Sequence, residues 1–233
     1  MRGGQCRAMN TRRSDGVVLI AVLLLTLLMS VLGAALALMA SSETAIAANF
    51  RNSQEARYAA AAAAERAVVD LAATVDWNQV LDGTVRSSVA DGAPFGTRLL
   101  SDGSTLDLGQ VLSLANCQRT TVCGDAELDA VTTERPWGPN NPRWQLFSYG
   151  WLRNVLPAGG IDSAYYTVVL VADDPSEIDA DPSRDGLPPS PGAGVVELRA
   201  QAFGPRGARR TIDVTIARTN AGSPRIVSWR EMR

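Results

Sequence analysis

The longest uncharged stretch of this chain places the strongest constraint on its fold. The 27 residues from Gly16 to Ser42 include no charged side chain. A hydrocarbon core about 30 Å thick needs about 20 apolar residues in helical form. Backbone groups in lipid must also form their hydrogen bonds within their own segment. The stretch therefore predicts a single transmembrane helix, with its apolar core from Val17 to Met39 and its membrane half over residues 17–42.

The charges before this stretch predict its orientation. Positive residues favour the cytoplasmic side of an inner membrane, so the N-terminus is expected in the cytoplasm and the rest of the chain in the periplasm. A secretory signal would have a shorter apolar core of about 7–15 residues and a polar break after its cleavage site. Because Ala34 to Ala40 continue directly into Ser41, the sequence favours an anchor. The preceding positive residues are Arg2, Arg7, Arg12 and Arg13.

Short motifs around the stretch resemble a known family. The segment Arg12-Arg13-Ser14-Asp15-Gly16 is followed by Val17-Val18-Leu19-Ile20, and residues 47–52 and 54–60 continue the similarity. Over roughly residues 10–83 the chain resembles the N-terminal segment of PilX-type pilins of type IV pili. The resemblance implies that residues 1–16 are a class III leader, which prepilin peptidase cuts between Gly16 and Val17. Such leaders are short, so translation is expected to start at Met9.

One position departs from the pattern of major pilins. The fifth residue of the processed chain would be Ala21. Major pilins carry Glu there, and its carboxylate pairs with the terminal amine of a neighbouring subunit. The resemblance therefore implies a minor subunit that contacts other pilin subunits through its N-terminal helix.

The helix is expected to continue beyond the membrane. Neither Gly nor Pro, the strongest helix breakers, occurs over residues 34–82, and alanine is the best helix former. The sequence predicts a helix from Val17 to about Ala73, a protruding half over residues 43–82, and a stop at Gly83. The apolar stripe at the lower end of this half is expected to dock on a globular domain, with a coiled coil as the alternative. The stripe consists of Ala61, Ala64, Val68, Leu71 and Val75.

The remainder of the chain has the pattern of a sheet. Four segments are rich in β-branched residues or alternate between apolar and polar residues. The segment Gly204-Pro205-Arg206-Gly207 predicts a hairpin turn between the last two of them. We expect one α+β domain over residues 83–233, with an antiparallel sheet of about four strands packed on the half-helix. This is the pilin-like fold that the resemblance also implies. Residues 224–231 are a candidate edge strand. The four segments are residues 144–153, 163–172, 195–203 and 211–217.

Two cysteines lie close together in the expected periplasmic domain. In an oxidising compartment, a small disulfide loop between Cys117 and Cys123 is favoured over two reduced buried thiols. A metal site would need further ligands nearby, and the chain contains no histidine. Without histidine, neither a Ser-His-Asp nor a Cys-His arrangement exists, so we assign no catalytic residues and expect no enzyme.

The segment from Ala172 to Val195 is rich in carboxylates and prolines. Clustered carboxylates on a turn-rich loop can bind Ca²⁺, which takes 6–8 oxygen ligands. The spacing matches no EF-hand, and a solvated loop is the competing interpretation. Several pseudopilins bind calcium in a comparable C-terminal loop. Calcium is thus the only cofactor considered, and its candidate ligands are Asp173, Asp174, Asp179, Asp181 and Asp185.

The function that this sequence favours is structural. The chain has a formal net charge of −2, which does not favour binding to nucleic acid. We expect a minor pilin that waits in the inner membrane and then enters a type IV pilus. Its expected partners are other pilins, prepilin peptidase, the inner-membrane assembly machinery and the membrane itself. The alternatives are a tip pseudopilin of type II secretion and an unprocessed, single-pass anchored enzyme or binding domain.

Overall fold

The computed structural model describes residues 14–133, 135–155, 162–177, 179, 181–186, 189–219 and 223–232. The leader arginines, Cys6 and the expected start at Met9 lie outside these residues. The chain divides at Phe50 into two units, which are described separately: Met1–Phe50 and Arg51–Arg233.

Helix α1 extends from Ser14 to Ala73, a length of 60 residues. It ends where the sequence predicts, and the indole of Trp77 donates a hydrogen bond to the Leu71 carbonyl of its last turn at 3.2 Å. A short helix α2 (Asn78–Leu81) follows. Gly83 has a φ of 76°, a left-handed conformation that suits glycine, and the helical region stops there.

The second unit contains a five-stranded antiparallel sheet in the order β3-β4-β5-β6-β7. The sequence predicted about four strands. The additional one is the C-terminal segment, which pairs with β6 and forms an edge of the sheet as expected. Every strand pairs with the next one along the chain, so the sheet is a simple meander. The strands are β3 (Gln145–Trp151), β4 (Tyr166–Asp173), β5 (Val195–Phe203), β6 (Arg209–Arg218) and β7 (Pro224–Met232).

One face of this sheet packs against the part of α1 that belongs to the second unit. The helix contributes mainly alanines, and the sheet contributes branched residues such as Val169, Leu198 and Ile212. The buried face differs from the predicted stripe. Ala61 and Val68 are only partly buried, and Val75 is 88% exposed because the helix ends before it. The buried helix residues are Ala56, Ala59, Ala60, Ala63, Ala64, Ala67 and Leu71.

The opposite face of the sheet is covered by elements that the sequence did not predict. A small two-stranded sheet, β1 (Thr97–Leu99) and β2 (Thr105–Asp107), leads into helix α3 (Leu108–Cys117). These elements form a second apolar cluster with the sheet. Because both faces are covered, β4 is buried along its whole length. Two further short helices are α4 (Asp125–Leu128) and α5 (Leu152–Val155).

The predicted hairpin joins β5 to β6, with Phe203 opposite Arg209. Its first turn residue, Gly204, passes close to the ring of Tyr165. A Cβ atom at this position would lie 2.1 Å from Tyr165 Cε1, so no larger residue fits without a shift of the ring. The Tyr165 hydroxyl donates to the Asn52 carbonyl of α1 at 2.9 Å, which ties the start of β4 to the helix.

The alanine face predicts a position-dependent response to the same substitution. Ala60→Leu forces a larger side chain into a fully buried site and is expected to destabilise the second unit by about 1–3 kcal/mol. Ala72→Leu, at an exposed site of the same helix, should change stability by less than about 0.5 kcal/mol. Unfolding of the full chain in detergent can be followed by tryptophan fluorescence, because all tryptophans follow residue 50. Equal effects of the two variants would contradict the packing described above.

Candidate functional site

The first unit presents an uninterrupted apolar surface. All described side chains from Gly16 to Ala47 are exposed, among them large residues such as Leu24 and Met29. The helix is long and apolar enough to cross a membrane. Gly16, Val17 and Ala21, the positions named for processing and assembly, all lie within it.

The two expected cysteines form a disulfide. Cys117 is the last residue of α3, and its sulfur is bonded to that of Cys123, with the two Cα atoms 6.2 Å apart. Between them, Gln118 ends the helix with a φ of 57°, and the chain turns back toward α3. The disulfide therefore closes a small loop at the C-terminal end of α3.

Three carboxylates meet where β4 ends. Asp173 is the last residue of β4, and it shares one site with Glu177 and Asp185. One oxygen atom from each residue can be chosen so that all three lie within 4.8 Å of one another. Asp173 and Glu177 are each only 2% exposed. The alternation along β4 directs Asp173 toward the same face of the sheet as Val169 and Val171, which pack against α1.

This arrangement differs from the predicted ligand set. Asp173 and Asp185 belong to the cluster, but Asp174, Asp179 and Asp181 do not. Asp174 and Asp181 instead accept hydrogen bonds from serines two residues ahead, and Asp179 accepts one from the Asp181 backbone. In such local turns the carboxylate accepts a hydrogen bond from the nearby backbone, a contact that the sequence alone does not reveal. Glu177 was missed because nothing in its sequence context distinguishes it from the other acids of the loop.

The cluster raises the pKa of its members. Burial, and secondly the charge of Glu177, raises the pKa of Asp173 to about 9. Burial also raises the pKa of Glu177 and of Asp185, with their acidic neighbours adding to the effect. Like charges that share a desolvated site cannot all stay ionised without a compensating cation.

A groove of about 610 Å³ lies on the sheet face opposite α1. It is lined by Arg135, Arg199, Arg209, Trp144 and Glu197, among others. The Arg199 guanidinium stacks over the Trp144 ring at 4.6 Å and pairs with Asp213 on the neighbouring strand at 2.9 Å. Burial, together with the charges of Asp213 and Asp174, raises the pKa of Glu197 to about 7.

Three arginines of strand β6 do not form one basic surface. Arg209 stacks on Phe203 in the groove, whereas Arg210 donates to the Ser53 hydroxyl of α1 on the other face. Arg218 lies over the ring of Trp77 at 4.3 Å. These side chains are thus engaged on two faces of the sheet, an arrangement that does not favour binding of a nucleic-acid backbone.

Comparison with known proteins identifies the N-terminal segment. Residues 15–65 match the family model described as PilX N-terminal. Over this segment, which lies wholly within α1, the chain is similar to the PilX-type pilins. No curated protein and no solved structure matches the chain. An apolar N-terminal helix and this family together fit a membrane-anchored pilin, a structural rather than an enzymatic class.

The pKa of Glu197 predicts a pH dependence of stability. A carboxyl group whose pKa rises on folding favours the folded state below its unfolded pKa of about 4.3, and this contribution is lost as the pH rises to about 7. Glu197→Gln should therefore flatten the fall in unfolding temperature between about pH 4 and pH 7. Glu65→Gln, at an exposed site on α1, is the matched control and should retain the wild-type profile. Identical profiles for Glu197→Gln and wild type would contradict this assignment.

Proposed function

We propose that this protein is a minor pilin, an assembly subunit of a type IV pilus. The observation that carries the proposal is the match of residues 15–65 to the PilX N-terminal family, within a helix whose apolar part is exposed. Burial of one Leu or Val side chain is worth about 1.5–3 kcal/mol. Exposure of so many apolar side chains to water would be costly, so the first unit requires lipid or other helices around it.

The exposed apolar surface of the helix can be covered in either of two environments. In the inner membrane, the apolar helix is covered by lipid, with its N-terminus in the cytoplasm and the second unit in the periplasm. In a filament, helices of other pilin subunits replace the lipid, and no new apolar surface has to be created. The proposed partners are therefore the membrane, prepilin peptidase, the inner-membrane assembly machinery and neighbouring pilins.

The proposal requires removal of the leader between Gly16 and Val17. Gly16 lies in α1, and an added Cβ would meet no atom of the chain within 4 Å. Gly33, farther along the same helix, is equally free of neighbours. Substitutions at the two positions should therefore be tolerated equally by the fold, and a difference between them would report on the peptidase.

We expect Gly16→Leu to abolish processing in cells, because a bulky side chain does not fit a peptidase site shaped for glycine. Gly33→Leu should be processed normally. Intact-mass measurement of the purified membrane protein should give Val17 as the first residue in the wild type and in Gly33→Leu. Wild-type protein that retains its leader while filaments assemble would refute the proposal.

The residue at position 21 bears on the number of copies in a filament. An unpaired terminal amine is costly in an apolar environment. Ala21 offers no carboxylate to the amine of a neighbour, so a filament made only of this chain would leave an amine unpaired at every interface. We propose that the protein occupies the tip or a few sites of a filament whose shaft is another subunit.

Quantitative mass spectrometry of purified filaments tests this placement. We expect the wild-type chain to be a minor component, and Ala21→Glu to increase its share severalfold by supplying the missing carboxylate. Ala21→Gln introduces a side chain with the shape of glutamate but without its charge, so the share of this chain in the filament should stay at the wild-type level. If the wild-type chain were the most abundant subunit, the proposed minor role would be wrong. A deletion that abolishes protein secretion but leaves pili intact would favour a type II secretion pseudopilin instead.

A further inference from the structure

Some oxygens of the buried carboxylates at the end of β4 have no hydrogen-bond donor among the described residues. Both oxygens of Asp173 and Oε1 of Glu177 are buried and without a hydrogen-bond partner among the described residues. A buried ionised group that is neither paired nor hydrogen-bonded is strongly unfavourable. Because Asp173 and Glu177 belong to one cluster, these oxygens indicate a ligand that the described protein atoms do not supply.

We propose that Asp173, Glu177 and Asp185 bind one Ca²⁺ ion and thereby fasten the β4–β5 loop to the end of the sheet. The selected oxygen atoms of the three residues lie within 4.8 Å of one another. Two oxygens on opposite sides of a calcium ion, each about 2.3–2.6 Å from it, are separated by a similar distance. The geometry thus accommodates a cation between them without a large rearrangement.

The loop is shaped around the Glu177 carboxylate. A Cβ at Gly186 would lie 2.9 Å from Glu177 Oε2, and a Cβ at Gly192 would lie 2.7 Å from Glu177 Cγ. The Gly186 amide donates to Glu177 Oε2 at 2.9 Å, whereas Oε1 has no hydrogen-bond partner among the described residues. Glycines at both positions therefore allow the loop backbone to approach the carboxylate closely.

Asp185 is positioned by contacts from two directions. Its backbone amide donates to the Asn78 side chain of α2 at 2.8 Å, and its Oδ1 accepts from the Gly194 amide at 2.5 Å. A bound ion would then connect the end of β4, the middle of the loop and, through Asn78, helix α2.

The ligand chemistry favours calcium over other metals. All three groups are carboxylates, the chain has no histidine, and Cys117 and Cys123 are joined to each other. Transition metals favour nitrogen or sulfur ligands, whereas oxygen ligands suit Ca²⁺ and Mg²⁺. Mg²⁺ demands near-ideal octahedral geometry and is usually bound by one or two carboxylates, whereas a group of three carboxylates suits the larger and more flexible coordination of Ca²⁺.

The local charges also favour a divalent cation. Arg218 is a nearby positive group, and its guanidinium is held over Trp77 at 4.3 Å and donates to the Thr74 carbonyl at 3.4 Å. One arginine cannot neutralise three carboxylates. A bound Ca²⁺ ion adds two positive charges and offsets most of the negative charge of the cluster. The remaining coordination positions can be filled by water.

Calcium binding can be measured directly on the full chain in detergent micelles, after treatment with EDTA and dialysis. Titration calorimetry with CaCl₂ is expected to give one site per chain, in the range of about 10⁻⁴–10⁻³ M that is typical of extracellular calcium modules. CaCl₂ should raise the unfolding temperature followed by tryptophan fluorescence, and equal MgCl₂ should raise it less. Absence of calcium binding up to ten times the upper limit of this range, or equal effects of the two salts, would overturn the proposal.

Variants locate the site. Asp173→Asn and Glu177→Gln keep the side-chain size, remove one ligand charge and should weaken calcium binding at least tenfold. Asp181→Asn removes one charge from the same loop outside the cluster and should bind as the wild type does. Gly186→Ala, which changes no charge but places a methyl group against the Glu177 carboxylate, should also weaken binding. If Asp181→Asn lowered the affinity as much as Asp173→Asn, binding would reflect the total charge of the loop, and the proposed site would be wrong.

Discussion

The second unit depends on the close contact between the alanine face of helix α1 and one face of the sheet. Six of the seven buried helix residues are alanines, and the fully buried ones include Ala56, Ala60 and Ala64. Small side chains let the helix backbone approach the sheet, where valines, leucines and isoleucines fill the space between them. Alanine also has the highest helix propensity, so the same residues keep α1 continuous.

Because α1 packs against one face of the sheet and α3 against the other, β4 is buried on both faces. Every residue of β4 is buried, including Asp173 at its end. A carboxylate at such a position requires compensation. In this protein the described residues of the β4–β5 loop place two further acids beside Asp173 and not a hydrogen-bond donor or a basic side chain. The end of the strand is therefore a candidate cation site rather than a simple ion pair.

The family match and the distinctive chemistry occupy different parts of the chain. Residues 15–65 carry the PilX-type sequence, whereas the acidic cluster and the arginine-lined groove lie beyond them. Similarity to a family over the N-terminal helix bears on that helix alone. It does not define what the rest of the protein recognises, because fold and function are carried by different residues.

The sequence alone determined the features that depend on local patterns: the long helix, the strands of the main sheet with the C-terminal edge strand, the hairpin at Gly204 and the Cys117–Cys123 pair. The tertiary structure decided which helix face is buried, because in a run of alanines every face is equally apolar and periodicity gives no preference. It likewise selected Glu177 over Asp174, Asp179 and Asp181. Each of these acids has the same intrinsic ability to bind a cation, and only the packing of the loop against β4 determines which carboxylates lose their contact with water.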